Sequence, residues 1–229
     1  KLKQESVLDY EIGTKLSMLD RRLQLNAAAF YYDYRNKQLR ARNIDPIWGN
    51  LDVVQNIPKS SVKGLELEIT ARPTDALTLM LGGSYIKGKI KKFSGVNAAG
   101  IVADFAGTPM PYSPKWNLTA DAQYEVPITD AVKAFAGVNV TYRSKTISVV
   151  GGALNPPNAT PNTFPLFGID SYSLVNLRAG VEGDKWRVEV WGKNVFNKYY
   201  WNTAYPAFDT ITRYTGMPAT FGVNLSYKM

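Results

Sequence analysis

Apolar and polar residues alternate one for one along much of this chain. Successive side chains of a β-strand point to opposite faces, so strict alternation marks a strand whose two faces meet different surroundings. From Trp116 to Val126 the rule has no exception: Trp116, Leu118, Ala120, Ala122, Tyr124 and Val126 share one face, and Asn117, Thr119, Asp121, Gln123 and Glu125 the other. The next segment sets Val132, Ala134, Ala136, Val138, Val140 and Tyr142 against Lys133, Gly137, Asn139, Thr141 and Arg143, with Phe135 the one apolar residue on the polar side. Leu65, Leu67, Ile69 and Ala71 oppose Glu66, Glu68, Thr70 and Arg72. Val175, Leu177, Ala179 and Val181 oppose Asn176, Arg178 and Glu182. Phe221, Val223, Leu225, Tyr227 and Met229 oppose Gly222, Asn224, Ser226 and Lys228. In all, about nine strands are expected on this pattern. In the segment from Leu23 to Arg35 the phase shifts near Phe30, which predicts a bulge or a broad aromatic band.

Connections between these segments alternate in length. Tight turns are expected at 20–22, 74–76, 128–131 and 183–185, and long irregular loops bearing Gly, Pro and Asn at 36–50, 93–111, 151–170 and 201–216. Short turns at one end and long loops at the other are the asymmetry of a bacterial membrane barrel. Several strands reach the roughly 9–11 residues that cross a hydrocarbon layer at a tilt. Trp116, Tyr124, Tyr142 and Trp186 fall near strand ends, where aromatic girdles belong. The fold expected is therefore all-β, a transmembrane antiparallel up-and-down barrel. A lipocalin-like barrel or a β-sandwich also alternates. Such a core favours bulky side chains, whereas Ala120, Ala122, Ala134, Ala136 and Ala179 dot the apolar face here.

Composition narrows the chemistry. No run approaches the roughly 18 apolar residues of a membrane-spanning helix. Cysteine and histidine are both absent, which removes disulfides, thiolate and imidazole catalysis and the usual zinc and copper ligands. The chain opens at Lys1 with neither an initiator methionine nor a secretion signal, and is expected to be a piece of something longer. With 27 basic and 19 acidic residues, its net charge of +8 suits nucleic acid, lipopolysaccharide phosphates or an anionic ligand alike. The dense basic group, Lys87, Lys89, Lys91 and Lys92, is expected just beyond a strand, where a solvated loop or contact with lipopolysaccharide fits better than a nucleic acid. Glu66 with Glu68 and Asp121 with Glu125 resemble catalytic carboxylate pairs in spacing, yet residues two or four apart share one strand face and line a wet lumen. Gly151-Gly152 lacks the lysine and helix of a phosphate loop. No catalytic residue, cofactor or metal site is expected.

Several stretches resemble the C-terminal barrel of TonB-dependent receptors. Asp9-Tyr10-Glu11-Ile12-Gly13-Thr14-Lys15 is similar to the family's Y-E-aliphatic-G-x-K strand, and Arg22 to Tyr31 follows as its return strand. Val62-Lys63-Gly64-Leu65-Glu66-Leu67-Glu68 resembles the G-aliphatic-E-x-E strand, and Asn194-Val195-Phe196-Asn197-Lys198-Tyr199-Tyr200 the N-L-F-D-K-x-Y segment. The final residues, Met217 to Met229, are similar to the C-terminal signature. They depart from it at Ala219, where arginine is common, and at Met229, where phenylalanine is usual.

The resemblance implies the last part of a barrel of about 22 strands closed around a plug, with residues 1–229 lying in that barrel and the plug upstream of Lys1. It implies outer-membrane import of a bulky, scarce nutrient such as a ferric siderophore, driven by TonB and the inner-membrane energising complex, with no enzymatic step. Outer-membrane lipid, lipopolysaccharide and the barrel-assembly machinery are the other implied partners, and nucleic acid is not one. A passive porin or an adhesin barrel, or a soluble carrier, remain as alternatives. By position in or beside the long loops, the substrate-binding residues expected are Trp48, Tyr112, Arg143, Lys145, Tyr200, Trp201 and Arg213. Arginine would pair with an anionic chelate, and the aromatic rings would stack on its planar parts.

Overall fold

The computed structural model describes residues 2–96, 102–153, 166–207 and 210–228, and every regular element among them is a strand. In chain order these are β1 (Ser6–Met18), β2 (Leu23–Asp45), β3 (Gly49–Ala71) and β4 (Leu77–Lys92), then the short β5 (Ser94–Val96) and β6 (Val102–Asp104). There follow β7 (Trp116–Thr129), β8 (Val132–Arg143), the short β9 (Thr146–Ile147) and β10 (Gly168–Ile169), and β11 (Tyr172–Gly183). The chain ends with β12 (Trp186–Lys193), β13 (Trp201–Ala207), β14 (Thr210–Thr215) and β15 (Thr220–Tyr227).

The long strands form one antiparallel meander in the order β1, β2, β3, β4, β7, β8, β11, β12, β15. Neither β1 nor β15 has a second long partner among the described residues, so the sheet is open at both edges. At one end the connections are the tight turns after β1, β3, β7 and β11. Leu19, Asp20 and Arg21 of the first are left-handed, with φ of 53°, 50° and 68°, and Arg22 pairs at 2.7 Å with Asp75 in the neighbouring turn. All the long excursions leave from the opposite end. They carry the β5–β6 and β9–β10 pairs and the β13–β14 hairpin.

Among the described residues, the greasy face is left open. Leu65 is 58% exposed, Leu118 42% and Leu225 76%, and Val138 is partly exposed. Among the described residues these side chains are not locked inside a close-packed core, as a soluble barrel or sandwich would place them. Aromatic residues mark both borders of this band. Tyr85 and Trp116 meet at a tilt, with centroids 4.7 Å apart, toward the loop end, and Tyr124, Trp186 and Tyr227 are exposed at the turn end.

The other face is polar and internally bonded. The Arg178 guanidinium donates to Asp121 at 2.9 and 2.7 Å and to Gln123 at 3.0 and 2.8 Å, while Arg187 donates to Glu182 and Glu189 at 2.8 Å each. Charge-assisted bonds of this kind hold cations and carboxylates together inside a wet lumen. Large groups on this face lie over glycines of the adjacent strand: Phe30 over Gly64, Phe135 over Gly180 and Trp191 over Gly222 occupy the space a Cβ would need. Phe135, the apolar exception of its strand, is thereby explained. Its ring fills the Gly180 notch beneath the Arg187 guanidinium, 3.8 Å from its centroid.

One two-sided expectation is narrowed and two others are corrected. First, β2 has no bulge near Phe30, because its register with β3 runs unbroken from Leu23 to Arg35. What stands there is the aromatic band, Phe30, Tyr32 and Tyr34, with centroids 4.8 and 6.3 Å apart. The facing changes later, at Asn36, whose φ of 51° is the left-handed conformation asparagine tolerates. Second, 36–50 is largely not an irregular loop: β2 and β3 continue through it as a paired ribbon and close at 46–48. Third, Lys87 to Lys92 lie within β4 and not beyond it. Of the other long loops, 97–101, 154–165 and 208–209 lie outside the described residues, as does Met229 of the C-terminal signature.

Beyond the loop end, Ala41, Ile57, Ile90, Phe93, Phe105, Met110 and Val150 form a small apolar core, with Leu39, Val62 and Ala103 packed on it. It ties the β2–β3 ribbon to the excursions after β4 and β8.

Candidate functional site

The described excursions place the expected binding residues in distinct groups. Arg143 ends β8 on the polar face, opposite Asn117 of β7 and Tyr172 of β11, and its Nε donates to the Asn117 side-chain Oδ1 at 3.3 Å. Tyr172 packs at a tilt against Tyr200, with ring centroids 4.3 Å apart. The Tyr200 ring in turn lies over Gly216, where any Cβ would overlap it. Arg143, Tyr172 and Tyr200 thus form a cation-and-ring ledge. Below it runs a groove of about 670 Å³ lined by Asn26, Glu66, Glu68, Ser84, Asn117 and Tyr172.

A second group sits on the hairpin formed by β13 and β14. The Arg213 guanidinium lies 5.4 Å from the Trp201 ring centroid and donates to the Leu166 carbonyl at 3.0 Å, and Tyr199 meets Trp201 edge-on at 5.1 Å. Tyr112, at φ 51°, bonds through its hydroxyl to the hydroxyl of Thr203, linking the excursion after β4 to this hairpin. Beside it a smaller pocket of about 140 Å³ is lined by Arg40, Arg42, Asp52, Ser148 and Tyr205. The Tyr205 and Tyr214 hydroxyls are 3.1 Å apart, and that hydrogen bond, with some burial, raises the Tyr205 pKa above the ordinary phenol range. Tyr205 therefore stays a neutral phenol in the physiological range.

Trp48 and Lys145 join neither group. Trp48 stands 75% exposed at the tip of the ribbon. There the Asp45 carboxylate accepts the backbone N–H of Ile47 at 2.8 Å and of Trp48 at 2.9 Å. These bonds, Trp48 first, lower the Asp45 pKa below the usual carboxylate value. Lys145 is exposed just past β8.

The sequence reading missed Tyr172, which the cross-strand register alone brings beside Arg143. It also missed the work of Asn194 and Asn197. Both are left-handed, with φ of 48° and 50°. Buried Asn194 donates to the Lys198 and Met217 carbonyls at 3.0 Å each and accepts the Lys198 N–H at 2.8 Å, while its own N–H donates to Asn176 at 2.9 Å. Asn197 accepts the Ala219 N–H at 3.0 Å. The N-V-F-N segment is thus a lock joining the end of β12 to the approach to β15.

The ledge and hairpin offer guanidinium and aromatic groups to a ligand. Among the described residues no group of three or more acidic, cysteine or histidine side chains converges to hold a metal ion.

The sequence profile of the family described as TonB dependent receptor-like, beta-barrel, matches residues 1–195. The chain belongs to this family. Relatives run along nearly all of it. The probable TonB-dependent siderophore receptor PiuA of Acinetobacter baumannii is 26% identical over 226 residues, 97% of this chain and 27% of that protein. The ferric-pyoverdine M114 receptor PbuA of Pseudomonas sp. strain M114 is 28% identical over 85% of this chain and 21% of its own length. Among solved structures, the ferric yersiniabactin uptake receptor FyuA from Yersinia pestis superposes with a TM-score of 0.73 at 17% identity, covering 97% of this chain and 30% of that one. The PiuA structure superposes with a TM-score of 0.70 at 22% identity, covering 96% and 28%. The chain therefore spans about a quarter of the length of the relatives it matches. TonB-dependent receptors are outer-membrane barrels, which makes the exposed greasy face a lipid face, the polar face a lumen wall, and the loop end the extracellular end. The family consists of transport receptors.

Proposed function

We propose that this chain is the C-terminal wall of a receptor that imports a ferric siderophore, and that its extracellular ledge and hairpin help capture the chelate. The observation that carries this reading is the match along nearly the whole chain to proteins named as siderophore receptors, joined to a loop end furnished with Arg143, Tyr172, Tyr200, Trp201 and Arg213. Arginine pairs with an anionic chelate by charge-assisted bonds, and the rings supply flat apolar area. Trp48, Tyr112 and Lys145 would contact the ligand at the periphery. The iron arrives already chelated, so the wall needs no ligand set of its own and performs no bond-making chemistry.

In this reading a plug and a TonB-contacting segment belong to the part of the receptor upstream of Lys1, and energy for release reaches the lumen through them. The barrel-assembly machinery reads the C-terminal strand. The test is uptake of radiolabelled ferric siderophores by iron-starved cells that carry or lack the complete receptor. Accumulation of at least one chelate only in the receptor-bearing, TonB-competent strain is expected. Ion conductance in planar bilayers without TonB-dependent uptake would replace the reading with that of a passive porin.

A further inference from the structure

Above the lipid band, the outward face of β3 and β4 turns abruptly cationic. Residues on this face form rows across the strands. One row runs Ile12, Ala29, Leu65, Tyr85, Trp116 and is wholly apolar or aromatic. The next row toward the extracellular end runs Tyr10, Tyr31, Lys63, Lys87, and the one after it Leu8, Asp33, Ser61, Lys89. The step from Leu65 to Lys63 is two residues, or roughly 7 Å along the strand. Lysines 63 and 87 are directly opposite each other, an arrangement that costs stability when nothing neutralises it. Among the described residues, Lys63, Lys87 and Lys89 have no carboxylate in salt-bridge range, while Asp33 in the same region leans to Arg35 at 3.9 Å.

Position and charge together define the counter-ion. These ammonium groups face away from the lumen, one step beyond the Tyr85–Trp116 girdle, at the level where outer-leaflet lipids carry their headgroups. A siderophore entering the funnel does not pass this side of the wall. Tyr10 and Tyr31, 6.4 Å apart between centroids, add an amphipathic surface in the same row as the opposed lysines. We infer that Lys63, Lys87 and Lys89 form a binding site for the phosphorylated headgroup of an outer-leaflet lipid, with its acyl chains lying down the Leu65 row. The phosphate offsets the repulsion between the facing lysines, and the site fixes receptor and lipid together at the membrane surface. This inference rests on the membrane placement of the family and not on the identity of the cargo.

The test uses the complete receptor in detergent micelles, titrated with bisphosphorylated lipid A and, separately, with its fully dephosphorylated form, with adducts counted by native mass spectrometry. The wild type should bind the phosphorylated lipid at least tenfold more tightly. Lys63→Gln/Lys87→Gln/Lys89→Gln should abolish that preference, and the control Lys91→Gln/Lys92→Gln should keep it. Lys87→Gln alone, expected to weaken the preference severalfold, serves if the triple variant fails to assemble into a heat-modifiable barrel. Equal binding of both lipids by wild type, an unchanged preference in Lys87→Gln or the triple variant, or suppression by millimolar inorganic phosphate with no selectivity for lipid would overturn the site. Uptake of siderophore is measured independently, so failure here leaves the transport reading standing.

Discussion

At the scale of single residues, the loop end depends on a few positions whose backbone or neighbours admit one solution. Tyr200 is held against Tyr172 because Gly216 leaves it room. A Gly216→Ala change should tip the ring off its ledge and weaken chelate binding by roughly tenfold, about the worth of one lost ring contact, measured by equilibrium binding to the complete receptor. Arg143→Ala should cost roughly 10- to 100-fold if its guanidinium meets an anionic chelate; unchanged affinity would remove it from the site. Asn194→Ala loses several buried hydrogen bonds and places alanine at a left-handed φ. It should lower the temperature at which the barrel loses its heat-resistant gel mobility, by an amount matching a few kcal/mol. At the ribbon tip the sign of the pH effect follows from Asp45. Its folded pKa lies below the ordinary value of 3.8, so its contribution is complete above that value and fades as pH falls below it. Amide exchange at Ile47 and Trp48 should accelerate selectively on acidification, and Asp45→Ala should remove that pH dependence.

At the scale of elements, the strands that cross lipid were legible and the parts outside it were not, for one physical reason. Alternation appears only where the two faces of a strand meet different solvents. Within the bilayer that holds, and β7, β8, β11 and β15 follow their expected phases. Beyond it only Leu39 and Ala41 of β2 pack on the small apolar core, too short a stretch to print a period, so 36–45 read as a loop although Lys37 to Asp45 pair without a break. The ledge was legible in Arg143 and Tyr200 through their place beside long loops. Tyr172 was not, because cross-strand adjacency depends on register, which no local pattern prints. The notches at Gly64, Gly180 and Gly222 were not legible as seats for rings contributed by the next strand. Gly180→Val would clash with the Val188 backbone carbonyl and with Phe135, and is expected to displace the ring, disturb the Arg187 bridges and reduce the fraction of receptor recovered in its heat-modifiable form.

At the scale of the whole molecule, the chain is an open wall with hydrocarbon on one side and a polar lumen on the other. The unpaired edges at β1 and β15 leave rows of backbone groups that further strands satisfy in a closed barrel. The small core around Ile57, Ile90 and Phe105 makes three of the extracellular excursions one body, so capture at the rim is supported by a pre-formed scaffold. The most direct test of this two-solvent wall exploits the absence of cysteine from the chain. Nitroxide labels are placed through Leu65→Cys, Leu118→Cys and Leu225→Cys, and through Glu66→Cys, Thr119→Cys and Asn224→Cys, in the complete receptor in bilayers. Collision with dissolved oxygen and with a polar nickel chelate is then measured by electron paramagnetic resonance. The first set should be relaxed by oxygen and shielded from nickel, and the second set should show the reverse ordering. Low accessibility of Leu65, Leu118 and Leu225 to both reagents, the mark of a packed protein interior, would contradict the account.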